Sequence, residues 1–188
     1  MRKFLNQNFF NQPTLKVAEN LLGKFLVRKY KNKEILVMVT EVEAYDGLKD
    51  KASHAHKGKT ERNKIMFGKS GRFYIYFSYG MHWMLNIVTG QKNYPAAILI
   101  RGGIIYQNNN KNFKEPVLLN GPAKLTKYLK IGKKFNNKIA GKKTGLWFED
   151  KGIKITRSQI KKSKRIGVEY AGEWADKQYR FFIDQNTK

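Results

Sequence analysis

The sequence predicts an α+β fold: a single domain over residues 1–188, with a curved, largely antiparallel sheet, a few flanking helices and a protruding β-hairpin. Three observations predict it. Strand-like stretches follow one another across short turns. Helical periodicity is confined to two short segments. No repeat and no long linker divides the chain.

In chain order, "TLKVAENLL" from Thr14 reads as a helix, with Thr14 as its cap and a stripe of Leu15, Ala18, Leu21 and Leu22. Gly23 ends it. "KFLVRKY" is then a strand, "KNKE" (31–34) a turn, and "ILVMVTEVEAY" the second strand of that hairpin. "GRFYIYFSY" and "HWMLNIVTG" are two strands around a tight turn at Tyr79, Gly80 and Met81. "AAILIRGGII" is a further apolar strand, and "YQNNNKNFKEP" a polar loop. "GPAKLTKYLKI" is a short helix with Pro122 in its first turn, where a missing N–H costs nothing. "GKKFNNKIAGKKTG" is a basic, glycine-rich loop, and "GIKITRS" and "YRFFIDQ" are late strands.

Composition narrows the function. At 41% hydrophobic, 188 residues suffice for a real core. The absence of cysteine excludes disulfides, thiolate zinc sites and cysteine nucleophiles, and fits a reducing compartment. No apolar run reaches a membrane span, and "MRKFLNQNFFNQPT" lacks the pattern of a signal peptide, so a cytoplasmic protein is expected, associated with the nucleoid if bacterial. The charge is +24, from 38 Lys+Arg against 14 Asp+Glu. Such an excess points to a polyanionic partner, nucleic acid before acidic membrane. The plainer reading is surface solvation, since 30 of the 38 are lysine in a chain rich in Asn and Ile.

In so basic a protein, "VMVTEVEAY" places two acids in an apolar strand. Strict alternation puts Val37, Val39, Glu41, Glu43 and Tyr45 on one face, with the carboxylates about 7 Å apart. They are either exposed acids paired with lysines or a carboxylate held in a pocket as a general base. Paired carboxylates also suit a sugar hydrolase, whose substrate would rarely require such a charge. In "RFYIYFSYGMHWMLN", Phe73, Ile75 and Phe77 are expected in the core, with Tyr74, Tyr76 and Ser78 on the other face and Tyr79 at the turn. Tyrosines so placed can stack on a base or wedge between bases. The spacing of His54 and His56, with His82 distant, offers no obvious third ligand, and no metal site is expected.

Ordered matches along most of the chain resemble the alkyladenine (3-methyladenine) DNA glycosylase family. They comprise E-A-Y at 43–45, D-x-A-S-H at 50–54, T-x-R-N at 60–63, M-F-G-x-x-G at 66–71 and Y-x-Y-x-x-Y-G-M-H-W at 74–83. Asn86, "AAILIR" at 96–101, "NGPAKLT" at 120–126 and "RIGVEYAGEWADKQYRFF" at 165–182 continue the match. One departure is "GGIIYQNNNKNFKEP" after Arg101, where the family usually has an Ala-acid-Pro turn and a longer segment.

The resemblance implies a monofunctional hydrolase of base excision repair that flips alkylated purines from double-stranded DNA and leaves an abasic site. It implies that Glu43 activates the attacking water and that Arg101 lies near that water. Tyr45, His54 and Tyr76 would hold the extruded base, Asn86 would crowd out guanine, and Tyr79 would fill the gap in the duplex. Glu41 is expected to support the site or pair with a nearby base. No metal or organic cofactor is implied, and a monomer is expected. Of the eight arginines, Arg62, Arg101, Arg165 and Arg180 lie in family-like segments, where planar contacts are expected. The rival readings are a noncatalytic basic RNA- or DNA-binding module with stacking tyrosines, and a lesion binder that has lost turnover.

Overall fold

The computed structural model describes residues 3–106 and 117–184. Among the described residues, ten antiparallel strands form one sheet. The strands are β1 (Lys3–Phe4), β2 (Phe25–Tyr30), β3 (Lys33–Asp46), β4 (Phe73–Ser78), β5 (His82–Val88), β6 (Ala96–Tyr106), β7 (Leu118–Asn120), β8 (Leu146–Asp150), β9 (Ile160–Ser163) and β10 (Arg180–Ile183). The main path runs β1-β8-β2-β3-β6-β5-β4, with β7 on β6 and the β9–β10 pair on β3. Helices α1 (Gln7–Phe10), α2 (Thr14–Leu21) and α3 (Pro122–Tyr128) flank it.

Strand β3 organises the molecule. Its first half pairs with β2, its second half pairs with β10 through Glu41, Val42 and Glu43, and β6 lies along its other edge. Midway the register slips: Val39 faces Gly103, Glu41 faces Gly102 and Val42 faces Ile100, leaving Thr40 and Arg101 without register partners. This bulge corrects the strict alternation expected from sequence. Val37 and Val39 lie in the main core with Val42 and Ala44, while Glu41 and Glu43 carry their carboxylates to the opposite face. One extra residue reverses which face a strand presents. Gly103 is required beside it, because a Cβ there would stand 2.4 Å from Val37 Cγ1 and 2.6 Å from the Met38 carbonyl.

Other expectations are refined. Thr14 does not cap α2; Pro13 takes that position, and the Thr14 hydroxyl donates to Asp46 Oδ1 at 2.7 Å. The β2–β3 turn is only Lys31 and Asn32, both with left-handed φ, so Lys33 and Glu34 already belong to the strand. Phe73 and Ile75 are in the core, but Phe77 is 45% exposed. The hairpin runs past the core at that point, and Phe77 packs against Trp83, at 4.7 Å between ring centroids. "GIKITRS" is not a strand. Thr156 and Gln159 form a capping box that starts a 3₁₀ turn over Arg157–Gln159, and the strand follows as β9. The short elements β1, α1, β7 and β8 carried no clear period. "YRFFIDQ" supplies β10, and the 106–116 loop falls, after Tyr106, outside the described residues.

Candidate active site

The face of the sheet opposite the main core opens into a cavity of about 320 Å³. Tyr45 on β3, Tyr74 and Tyr76 on β4, Asn86 on β5 and Arg101 on β6 all face it. The 52–66 segment adds His54, Arg62 and Met66, and the C-terminal segment adds Ile166 and Tyr170. Sequence reading assigned no role to Met66, Ile166 or Tyr170. The 165–182 motif marked the region of the last two, but nothing in it signals a contact from a backbone amide.

Glu43 lies beneath this cavity, fully buried. Its Oε2 accepts from the Tyr45 hydroxyl at 2.9 Å and meets Arg101 Nη1 at 3.3 Å. Its Oε1 accepts from the Ile166 amide at 2.8 Å. A buried carboxylate without such partners would be costly, and one held by two hydrogen-bond donors and a facing guanidinium is fixed in place. Burial and the neighbouring Glu43 charge push the Tyr45 hydroxyl well above its ordinary pKa, so it stays a donor. Glu41 pairs with two bases, as expected of it: its Oε1 accepts from Arg101 Nε at 3.0 Å and from Arg180 Nε at 2.6 Å.

The aromatic wall is interlocked. His54 packs edge-on to Tyr76, with centroids 4.6 Å apart, and its Nδ1 lies 2.9 Å from the Tyr74 hydroxyl. Burial, with a smaller push from the Arg62 charge, lowers His54 to about 4. The imidazole is therefore neutral at pH 7. Burial raises Tyr74 to about 12 and raises Tyr76 further. The Arg62 guanidinium lies 5.2 Å from the centre of the Tyr76 ring. Asn86 is fixed by donation from Nδ2 to the Tyr74 carbonyl at 3.0 Å.

The loop after β3 is clamped to the C-terminal segment. Asp50 and Arg165 are both wholly buried in their side chains and meet in a bidentate pair, at 2.6 and 2.8 Å. Arg165 also donates to the Ala44 and Trp174 carbonyls and lies 4.8 Å from the centre of the Tyr45 ring. These are the planar contacts that an arginine supplies and a lysine cannot.

The β4–β5 hairpin stands at the cavity mouth. Tyr79 lines the mouth, is 82% exposed and has a φ of 50°. Met81 beside it is 67% exposed. The ring of Tyr79 therefore contributes little to packing.

His54 and His56 do not converge, since His56 Nδ1 lies 2.9 Å from the Leu48 carbonyl. Among the described residues no group of three or more His, Cys, Asp or Glu could hold a metal ion. The structure thus brings Glu43, Arg101, Tyr45, His54, Tyr76, Asn86 and Tyr79 into and around one cavity.

Comparison with known proteins bears on the family. The sequence profile of the family described as methylpurine-DNA glycosylase matches residues 8–187. A protein of Methanocella arvoryzae, provisionally named a 3-methyladenine DNA glycosylase, is 40% identical over 190 residues, covering 97% of this chain and 93% of its own. Proteins under the same provisional name from Borreliella afzelii, 41% identical with 97% of each chain covered, and Clostridioides difficile, 36% identical with 96% of this chain and 100% of its own covered, are similar throughout. The chain belongs to the methylpurine-DNA glycosylase family.

Proposed function

We propose that this protein excises alkylated purines, 3-methyladenine among them, from double-stranded DNA by hydrolysing the N-glycosidic bond and leaving an abasic site. The observation that carries this reading is Glu43, a buried carboxylate held by Tyr45, Arg101 and Ile166 at the base of an aromatic cavity. A base within a duplex is out of reach, so the nucleotide turns out into the cavity while Tyr79 takes its place in the stack.

The extruded base lies among Tyr45, His54 and Tyr76. An alkylated purine that carries positive charge gains cation–π attraction of about 0.5–2 kcal/mol from such rings, and a neutral base does not. Neutral His54 adds no repelling charge. Asn86, tethered to the Tyr74 carbonyl, is a fixed wall that crowds the 2-amino group of guanine. Glu43 takes a proton from water as the water attacks the sugar carbon, and its negative charge stabilises the positive sugar as the base departs. Arg101 borders the carboxylate and orients the water. The reading further takes the chain as one domain that acts as a monomer, in the cytoplasm.

The noncatalytic alternative gives no account of a carboxylate buried with two hydrogen-bond donors and a guanidinium beneath a base-sized cavity. The deciding experiment is incubation with methylated duplex DNA, followed by chromatography of released bases and gel analysis of the strand. Free methylpurine and an unbroken abasic strand are expected. Absence of released base removes the enzymatic reading, and strand scission would indicate an amine nucleophile instead of water.

A further inference from the structure

We propose that Glu41 is a positioning residue for the hydrolytic centre: with Arg180 as its counter-charge, it holds Arg101 in the orientation that faces Glu43. This role rests on the reading of Glu43 as the base that activates water.

The slipped register around Thr40 turns Glu41, together with Glu43, to the face opposite Val37 and Val39. Its partner across the sheet is Gly102, and a Cβ there would stand in ordinary contact with Glu41, 3.4 Å from its Cβ and 3.5 Å from its Oε2. The Glu41 side chain is only 19% exposed, and those of Arg101 and Arg180 are 13% and 24% exposed. Water therefore screens these charges only in part. Glu41 Oε1 takes the Nε–H of Arg101, which leaves the far edge of that guanidinium, Nη1, to meet Glu43 Oε2 at 3.3 Å. Only a planar guanidinium can serve two acids with two edges.

Arg180 is the register partner of Glu43 on β10, yet its Nε bonds Glu41, and its Nη1 donates to Ser163. It neutralises the second acid without competing for the first. Two acids and two arginines thus form a balanced set in which Arg101 is the shared member. Removing Glu41 frees Arg101 to rotate and leaves two guanidinium groups with one carboxylate.

A stabilising ion-pair network would have the same geometry, so the test must read the chemistry. Single-turnover excision from methylated duplex DNA is measured for wild type, Glu41→Ala, Glu41→Gln, Arg101→Ala and the Glu41→Ala/Arg101→Ala double variant. Glu41→Ala should slow excision roughly ten- to a hundredfold, the scale of one lost charged hydrogen bond, with DNA affinity not weakened. Glu41→Gln retains an acceptor and should fall between. The double variant should be no slower than Arg101→Ala, since Glu41 acts through Arg101.

A wild-type rate in Glu41→Ala, no partial rescue by Glu41→Gln, or penalties that add in the double variant would overturn the proposal. If wild type itself releases no base, the enzymatic reading fails separately. The positioning claim is then decided by the ¹⁵N-detected Nε–H signal of Arg101. It should exchange slowly in wild type and Glu43→Gln, rapidly in Glu41→Ala and at an intermediate rate in Glu41→Gln. Slow exchange in Glu41→Gln and Glu41→Ala alike would overturn it.

Discussion

The Ile166 amide donates to Glu43 Oε1 at 2.8 Å, joining residues 123 apart in sequence. The C-terminal segment thus supplies one wall of the niche that β3 begins. Gln at 43 preserves shape but cannot take a proton from water, and its amide would place hydrogens against Arg101. Glu43→Gln is expected to lower single-turnover excision at least about a hundredfold, the usual effect of losing a general base. Lesion binding should survive or tighten, since a negative charge near DNA is removed. Near-normal excision would exclude Glu43 as the base.

The same union of segments depends on Asp50 and Arg165. Asp50→Asn leaves the Arg165 charge buried, with carbonyl contacts alone to replace the carboxylate. Breaking a buried pair by removing one partner costs about 3–5 kcal/mol. Urea denaturation should show this loss in full. A change under about 1 kcal/mol would mean the clamp is not closed in solution.

The charge of +24 should appear in DNA affinity. Each phosphate neutralised contributes a slope of about −0.9 in log K against log salt. On nonspecific duplex a slope of roughly −4 or steeper is expected. A flat dependence would return the lysines to surface solvation.

His54 contributes a pH dependence. Its folded value of about 4 lies below the ordinary 6.5, chiefly through burial. Between those values the unfolded chain binds the extra proton, so this contribution is complete above pH 6.5 and is lost as pH falls toward 4. The ring is open to the cavity, where water screens part of the effect. The Tm of wild type should fall more between pH 7 and pH 5 than that of His54→Gln. Parallel curves would show that the ring titrates freely.

Local pattern revealed much of this site, and long-range pairing accounts for what it did not. E-A-Y and Y-x-Y-x-x-Y-G place Glu43, Tyr45, Tyr76 and Tyr79 by spacing along two strands, and the strands form where alternation says. Alternation could not foresee the slip at Thr40, because a bulge depends on the partner strand, here where Gly103 packs against Val37 and Met38. The partners of Glu41 and Asp50, Arg180 and Arg165, come from the far end of the chain, where spacing carries no information about contact. Phe77 misled because its apolar character matched a core position, while the strand had already left the core.

That projecting hairpin is where the fold and DNA should meet. Tyr79 holds a left-handed φ of 50°, rare for a residue other than Gly, Asn or Asp, and 82% of it is exposed. The fold gains little from its ring, so Tyr79→Ser should leave stability nearly intact. The turn survives on Gly80, whose φ is 63°, and on the Met81 amide bonded to the Ser78 carbonyl at 3.1 Å. Capture of the extruded nucleotide should weaken instead, because the gap in the stack goes unfilled and unstacking costs a few kcal/mol. The loss should be greatest for a lesion in a well-paired duplex and smaller at a mismatch, where the base is already loose. A fluorescent base analogue at the lesion site reports flipping directly. Equal flipping by mutant and wild type would remove the wedge, and a mutant that unfolds would show that the exposed ring supports the hairpin instead.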